Sequence, residues 1–147
     1  CKPHAELTLA ELYAILRLRS EVFVVEQNCA FLDMDGKDLV GQTEHLMAWA
    51  DGALLAYCHL LEPALNDGQA VIGRVITASA ARGTGLGHEL MRRAKDEAAR
   101  LWPGEPLYLG AQARLKGYYG GHGFVPVTDE YIEDGIPHVG MLLRESA

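Results

Sequence analysis

Hydrophobic positions near the start of the chain recur with a helical period. Leu9, Leu12, Tyr13 and Leu16 fall on one face, and Thr8-Leu9-Ala10-Glu11 has capping-box spacing. The pattern predicts a helix from about Thr8 to Val22. From Glu26 to Gly41 the period gives way to Asp33, Asp35, Gly36, Asp38 and Gly41, which predicts an exposed acidic loop. His45 to Ala50 and Ala53 to Leu61 read as strands joined by Asp51-Gly52, the pairing that favours a tight hairpin with positive φ. After the turn at Asn66-Asp67-Gly68, Ala70 to Thr77 reads as a third strand, which runs into a glycine-rich loop. Leu86, Leu90, Ala94, Ala98 and Leu101 then mark a helix that opens at the glycines and stops before Pro103. Leu107 to Ala111 reads as a strand, Arg114 to Gly120 as a short helix, and Phe124 to Thr128 and Val139 to Leu143 as two final strands. This alternation predicts an α/β protein with a mixed sheet.

No repeat or linker divides the 147 residues, so one domain over 1–147 is expected. A chain of this size buries roughly 70% of the surface its unfolded form exposes, enough for a core without metal or disulfide staples. Lys and Arg number 13 against 20 Asp and Glu, a net charge of −7, which argues against general nucleic-acid binding. Cys1, Cys29 and Cys58 form no Cys-x-x-Cys pair, as suits a reducing compartment. The apolar stretch from Ala53 to Leu61 is too short for a membrane span and carries His59. Cytoplasm is the expected location, with no membrane partner.

Arg82-Gly83-Thr84-Gly85-Leu86-Gly87 lies between a strand and a helix start, where unpaired amides and the helix dipole favour an anion. Glycines admit phosphate oxygens close to the backbone, and Arg82 can pair with them. The bland alternative is a tight turn and a close helix–sheet contact. The P-loop pattern is absent, and a dinucleotide fingerprint would need glycine where His88 stands, which disfavours an NAD- or FAD-dependent oxidoreductase.

The loop resembles the CoA-binding signature [R/Q]-x-x-G-x-[G/A] of the GNAT superfamily of N-acetyltransferases, which residues 82–87 match at every specified position. Tyr119, four residues before Gly123-Phe124, is similar to the Y-x-x-x-G-F form of that superfamily. Glu21 to Gln27, Asp33-Met34-Asp35-Gly36, Ile72-Gly73-Arg74-Val75, Tyr108 to Gln112 and Glu133 to His138 resemble its ElaA-type branch. The resemblance implies an α+β mixed sheet, mostly antiparallel, splayed between two parallel strands with helices on both faces. The fold's first strand would precede Thr8, where Cys1 to Glu6 offers little room.

The same resemblance implies acetyl-CoA as cofactor and a small-molecule or peptide amine as acceptor, attacked directly in a ternary complex. Backbone groups of Val75, Ile76 and Thr77 would bind the pantetheine arm. Arg82, Gly83, Thr84, Gly85, Leu86, Gly87 and His88 would receive the pyrophosphate. Tyr119 would protonate the departing thiolate, and Gln112 stands where relatives have an asparagine near the pantetheine or the tyrosine. For the general base Glu26, Glu44, His45, His59 and His138 are candidates, with Glu26 and His138 favoured because they lie in branch-specific motifs. Arg74 is expected in a structural ion pair. Acids at 21–44 and 129–134 would face the acceptor and attract a cationic amine, or else form only a solubilising rim. Asp33-x-Asp35-Gly36-x-Asp38 lacks the glycine placement and closing glutamate of a calcium loop, so no metal is expected. Val139 to Leu143 could serve as an edge strand in a homodimer. A catalytically idle acyl-CoA sensor is the competing reading.

Overall fold

The computed structural model describes residues 1–27 and 33–144; Cys29 lies outside the described residues. Strand β1 (Lys2–Pro3) is the short first strand, followed by helix α1 (Leu9–Arg19), which continues as a π-helical segment over Ser20–Glu26. Thr8 caps α1 as expected, its hydroxyl accepting from the Glu11 amide at 3.0 Å while Glu11 accepts from the Thr8 amide at 2.9 Å. The buried face differs from the expected one. Ile15, Leu18, Arg19 and Val22 face inward, whereas Leu9 and Tyr13 are 86% and 72% exposed. The helix is seated by the inward Arg19 rather than by its widest apolar stripe.

Strands β2 (Glu44–Ala50) and β3 (Ala53–Leu61) form the expected hairpin, with Asp51 at φ 49° and Gly52 at φ 78° in its turn. Strand β4 (Ala70–Thr77) pairs antiparallel with β3, and helix α2 (Leu86–Leu101) packs its Leu90, Met91, Ala94 and Ala98 face on the sheet. Strand β5 (Leu107–Gln112) and the short helix α3 (Lys116–Gly120) follow, then β6 (Val125–Pro126), β7 (Tyr131–Glu133) and β8 (Ile136–Leu143). The β7–β8 hairpin was not anticipated; its turn uses Asp134 at φ 51° and Gly135 at φ 76°.

The sheet order is β1-β2-β3-β4-β5-β8-β6, with β7 also on β8. Strand β8 is therefore internal, flanked by β5 and by β6 and β7, and offers no free edge for a second copy. The parallel strands β4 and β5 pair only at Ala70 with Leu107 and Val71 with Tyr108, then diverge. Alternation along β3 divides the core. Ala56, Cys58 and Leu60 join the cluster under α2, while Tyr57 joins Ile15, Leu18, Val22 and Ile76 under α1. Thus His59, in step with Tyr57, belongs to the α1 face, and Tyr119 to the α2 face.

On the α1 face the core is polar at its centre. Arg19, 0% exposed, donates to Asp33 at 3.0 Å and to Asp38 at 2.6 Å, and also to the Asp33 carbonyl at 2.9 Å. Removing the guanidinium would leave two buried carboxylates without their main counter-charge. Arg19→Met is expected to cost about 3–5 kcal/mol, and Leu9→Ala less than about 0.5 kcal/mol. Urea unfolding of both variants checks this; equal midpoints would contradict it.

Candidate active site

Where β4 leaves β3, two residues oppose one. Tyr57 pairs with Ile76 and His59 with Gly73, so Arg74 and Val75 together face Cys58 in a β-bulge. Arg74 takes φ 53°, a left-handed conformation that costs any residue bearing a Cβ free energy. Its guanidinium donates to the Asp33 carboxylate and to the Asp33 carbonyl, each at 2.9 Å, and lies 3.4 Å from Asp35. The expected structural ion pair is present.

Beyond the bulge, the divergence of β4 from β5 opens a cleft of about 600 Å³. Phe23, Gln27, Asp35, Lys37 and His59 line it on the α1 side, Leu115 and Tyr119 on the α2 side. Val75 and Gln112 stand on its strand walls, and Glu133, Asp134 and His138 come from the β7–β8 hairpin. Parts of the two acidic segments expected at the acceptor side, 21–44 and 129–134, do meet here, through Asp35 and Lys37 on one side and Tyr131, Glu133 and Asp134 on the other. Asp33 and Asp38 are buried on Arg19 and Arg74, whereas Asp35, Glu133 and Asp134 line the cleft together with Lys37, Arg74 and Arg114.

The glycine loop follows β4 directly. Gly83 and Gly85 take φ 79° and 84°, and a Cβ on either would meet nothing within 4 Å, so the space beside the loop is open to a ligand. Gly87 is different: its Cβ would lie 3.2 Å from the Tyr118 hydroxyl and 3.4 Å from Thr77 Oγ1. The first-turn amides of α2, including those of Gly87 and His88, have no acceptor within the helix and suit an anion. His88 Nδ1 lies 3.0 Å from His122 Nε2. Arg82 departs from the expectation of a free phosphate ligand. It grips Glu26 with both terminal nitrogens, one at 2.7 Å, and donates to the Thr77 carbonyl at 3.1 Å.

That contact also changes the standing of Glu26 as a base, since the hydrogen bonds from Arg82 hold its carboxyl below the usual range. His138 sits at the cleft, its Nδ1 2.7 Å from the Ile136 carbonyl and its Nε2 3.6 Å from the Glu133 carboxylate. Both ring nitrogens thus face acceptors of the β7–β8 hairpin itself, a poor arrangement for taking a proton from an amine. His45 is saturated, with Nδ1 2.6 Å from the Tyr57 hydroxyl and Nε2 2.9 Å from the Asp38 carbonyl. Glu44 is buried, and burial raises its pKa. Gln112 meets Gln27 at 3.3 Å and Arg114 at 3.1 Å.

Tyr119 is 7% exposed, packed edge-on against Tyr118 and Phe124, and burial pushes its phenol up to about 12. It keeps its proton throughout the neutral range. Among the described residues no group of three or more His, Cys, Asp or Glu side chains could hold a metal ion. No helix among the described residues is long and apolar enough to cross a membrane.

A bulged strand splayed from its parallel neighbour, with a glycine loop and helix start at its end, is the arrangement to set beside known proteins. Residues 22–145 match the family described as "Acetyltransferase (GNAT) domain". The chain belongs to the GNAT acetyltransferase family. It is 48% identical over 138 residues to Protein ElaA of Escherichia coli K12, covering 94% of this chain and 90% of that protein. The crystal structure of E. coli ElaA superposes with a TM-score of 0.91 over 97% of this chain and 96% of that one, at 46% identity. An acyl-CoA N-acyltransferase from Pseudomonas aeruginosa superposes with a TM-score of 0.94 over 97% of both chains, at 62% identity. At 12% identity, an aminoglycoside 6′-N-acetyltransferase complexed with coenzyme A shares the fold, with a TM-score of 0.74 over 97% of this chain and 95% of that one. The GNAT fold and the ElaA-type resemblance expected from the motifs are therefore found.

Burial holds His45 and His59 neutral, below their ordinary pKa of 6.5 despite Asp38 acting in the opposite sense. The unfolded chain takes up protons there that the folded chain refuses, so stability is full above about pH 6.5 and falls as pH drops below it. Melting temperatures at pH 7.5, 6.5 and 5.5, roughly spanning that window, should decline on the acid side. A flat profile would contradict it.

Proposed function

We propose that the chain is an acetyl-CoA-dependent N-acetyltransferase that moves the acetyl group to a primary amine by direct attack. The observation that carries this reading is the cleft itself, which passes between β4 and β5 from the Tyr119 face to the His59 face. A thioester lying in that gap is reached by an amine from one side and loses its thiol on the other. Membership of the GNAT family and the similarity to an acyl-CoA N-acyltransferase support acyl transfer from CoA; the coenzyme A complex of the distant aminoglycoside enzyme adds the kind of ligand its fold accommodates.

In this reading the amides around Gly83 to His88 hold the pyrophosphate, and Arg82 exchanges Glu26 for it. Backbone groups of Val75, Ile76 and Thr77 hold the pantetheine arm, the bulge giving one amide N–H the freedom to polarise the thioester carbonyl. Positioning of the two reactants supplies most of the rate. Tyr119 donates to the sulfur as its charge develops, and its raised pKa keeps the donor protonated until then.

Release of CoA thiol from acetyl-CoA, measured against polyamines, aminoglycosides, amino acids and lysine-bearing peptides, tests the activity. Tyr119→Phe should lower turnover about 10- to 1,000-fold and leave acetyl-CoA affinity nearly unchanged. Acetyl-CoA binding without thiol release from any amine would favour a cofactor sensor, and unchanged turnover would remove Tyr119 from the mechanism.

A further inference from the structure

We infer that His59 is the group that takes the proton from the incoming amine, with Asp38 as its positioning residue. The inference rests on the acetyltransferase reading and assigns the base that reading leaves open. His59 Nδ1 lies 3.1 Å from Asp38 Oδ1. Asp38 is a carboxylate: burial alone would raise its pKa, but hydrogen bonds from His59 and Arg19 hold it far below the usual range. A carboxylate only accepts, so the Nδ1 proton is fixed on the imidazole and Nε2 carries the bare lone pair.

Nε2 points to where the reaction would occur. The ring lies over Gly73, so close that a Cβ there would stand 2.4 Å from Nε2. Glycine at position 73 is what admits the imidazole, and the next two residues, Arg74 and Val75, are the bulge. Among the described residues Nε2 has no hydrogen-bond partner, and no buried side-chain nitrogen or oxygen is left orphaned, so this atom is served by the cleft that His59 lines. Of the other candidates, Glu44 is not part of the cleft lining, and the remaining three have both ends engaged: Glu26 on Arg82, His138 between Ile136 and Glu133, His45 between Tyr57 and Asp38.

Asp38 from the loop, Arg19 from α1, Arg74 from β4 and His45 from β2 surround the ring. The two guanidiniums and burial favour the neutral imidazole, so the lone pair is available at neutral pH, and the imidazolium, once formed, readily gives its proton on to water. An ammonium gives one proton to Nε2, directly or across one water, and the freed nitrogen lone pair forms the C–N bond to the thioester carbonyl carbon. The C–S bond breaks with its electron pair on sulfur, and the second nitrogen proton replaces the one Tyr119 delivers to that sulfur. The sum is amide, CoA thiol and one proton released from His59 to solvent. Base and acid stand on opposite faces of the sheet, with the thioester between them.

His59→Asn tests this, because the asparagine amide keeps a donor near Asp38 and lacks the basic nitrogen. With the amine that gives most thiol release from the wild type, kcat/KM should fall about 10²- to 10⁴-fold while acetyl-CoA affinity, measured by calorimetry, stays unchanged. The remaining rate should climb with pH toward the amine's own pKa, in the range where the wild type is level. Nitrogen-15 spectra of the wild-type rings should show Nδ1 protonated and Nε2 bare at neutral pH. A variant that binds acetyl-CoA and keeps kcat/KM within threefold, one whose loss has the wild-type pH profile, or a ring protonated on Nε2 alone would overturn the assignment and leave the acetyltransferase standing. Absence of thiol release from the wild type with every amine would overturn both.

Discussion

Arg19, enclosed between α1 and the sheet, ties together segments that share no secondary structure. It takes the carboxylates of Asp33 and Asp38 and the Asp33 carbonyl. Asp33 in turn holds Arg74 at the strained bulge, and Asp38 holds His59 on the neighbouring strand. Buried ion pairs cost desolvation and are seldom chosen for stability alone. Here the cost secures a shape: a strand forced out of its ladder, a cleft beside it, and an imidazole aimed across it. The left-handed conformation of Arg74 costs about 1–3 kcal/mol, and the ion pair with Asp33 offsets that cost at the bulge.

From that knot the site extends through the sheet rather than over it. Two ladder pairs join β4 to β5 before the strands part, and the parting exposes the α1 face and the α2 face to one another. His59 and Tyr119, the proposed proton acceptor and donor, thus stand in opposite layers of the core, each shifted chiefly by its own burial. The glycine loop, proposed to hold the pyrophosphate, lies at the end of the same strand, and the Arg82–Glu26 pair joins that loop to the π-helical end of α1's extension.

Much of this was legible in the residues. Turn chemistry at Asp51-Gly52, the helical period from Leu86 to Leu101 and the glycine loop each follow from local rules, and all are present. Arg74 in an apolar strand announced an ion pair, because a charge there needs a counter-charge, whereas the bulge beside Gly73 appears only in the fold. Arg19 was missed, although its place between Ile15 and Val22 puts it on the buried side of the helix. The wider stripe at Leu9 and Tyr13 is exposed, since tertiary packing overrides a local pattern. Similarly, the acids of 33–38 look like a solvated loop in one dimension, and only the fold shows that two of them are internal counter-ions. The hairpin at Asp134-Gly135 carried a readable turn signal that the short flanking runs obscured.

Amide hydrogen exchange on Asp38→Asn tests most directly whether the buried knot is what holds the site. The substitution removes the charge that Arg19 and His59 share and leaves the volume nearly the same. The account predicts faster exchange at residues 33–44 and at the Gly73 to Val75 bulge, with the ends of the β2–β3 hairpin and helix α2 protected as before. Uniform loosening of the whole domain, or no change at the bulge, would contradict it.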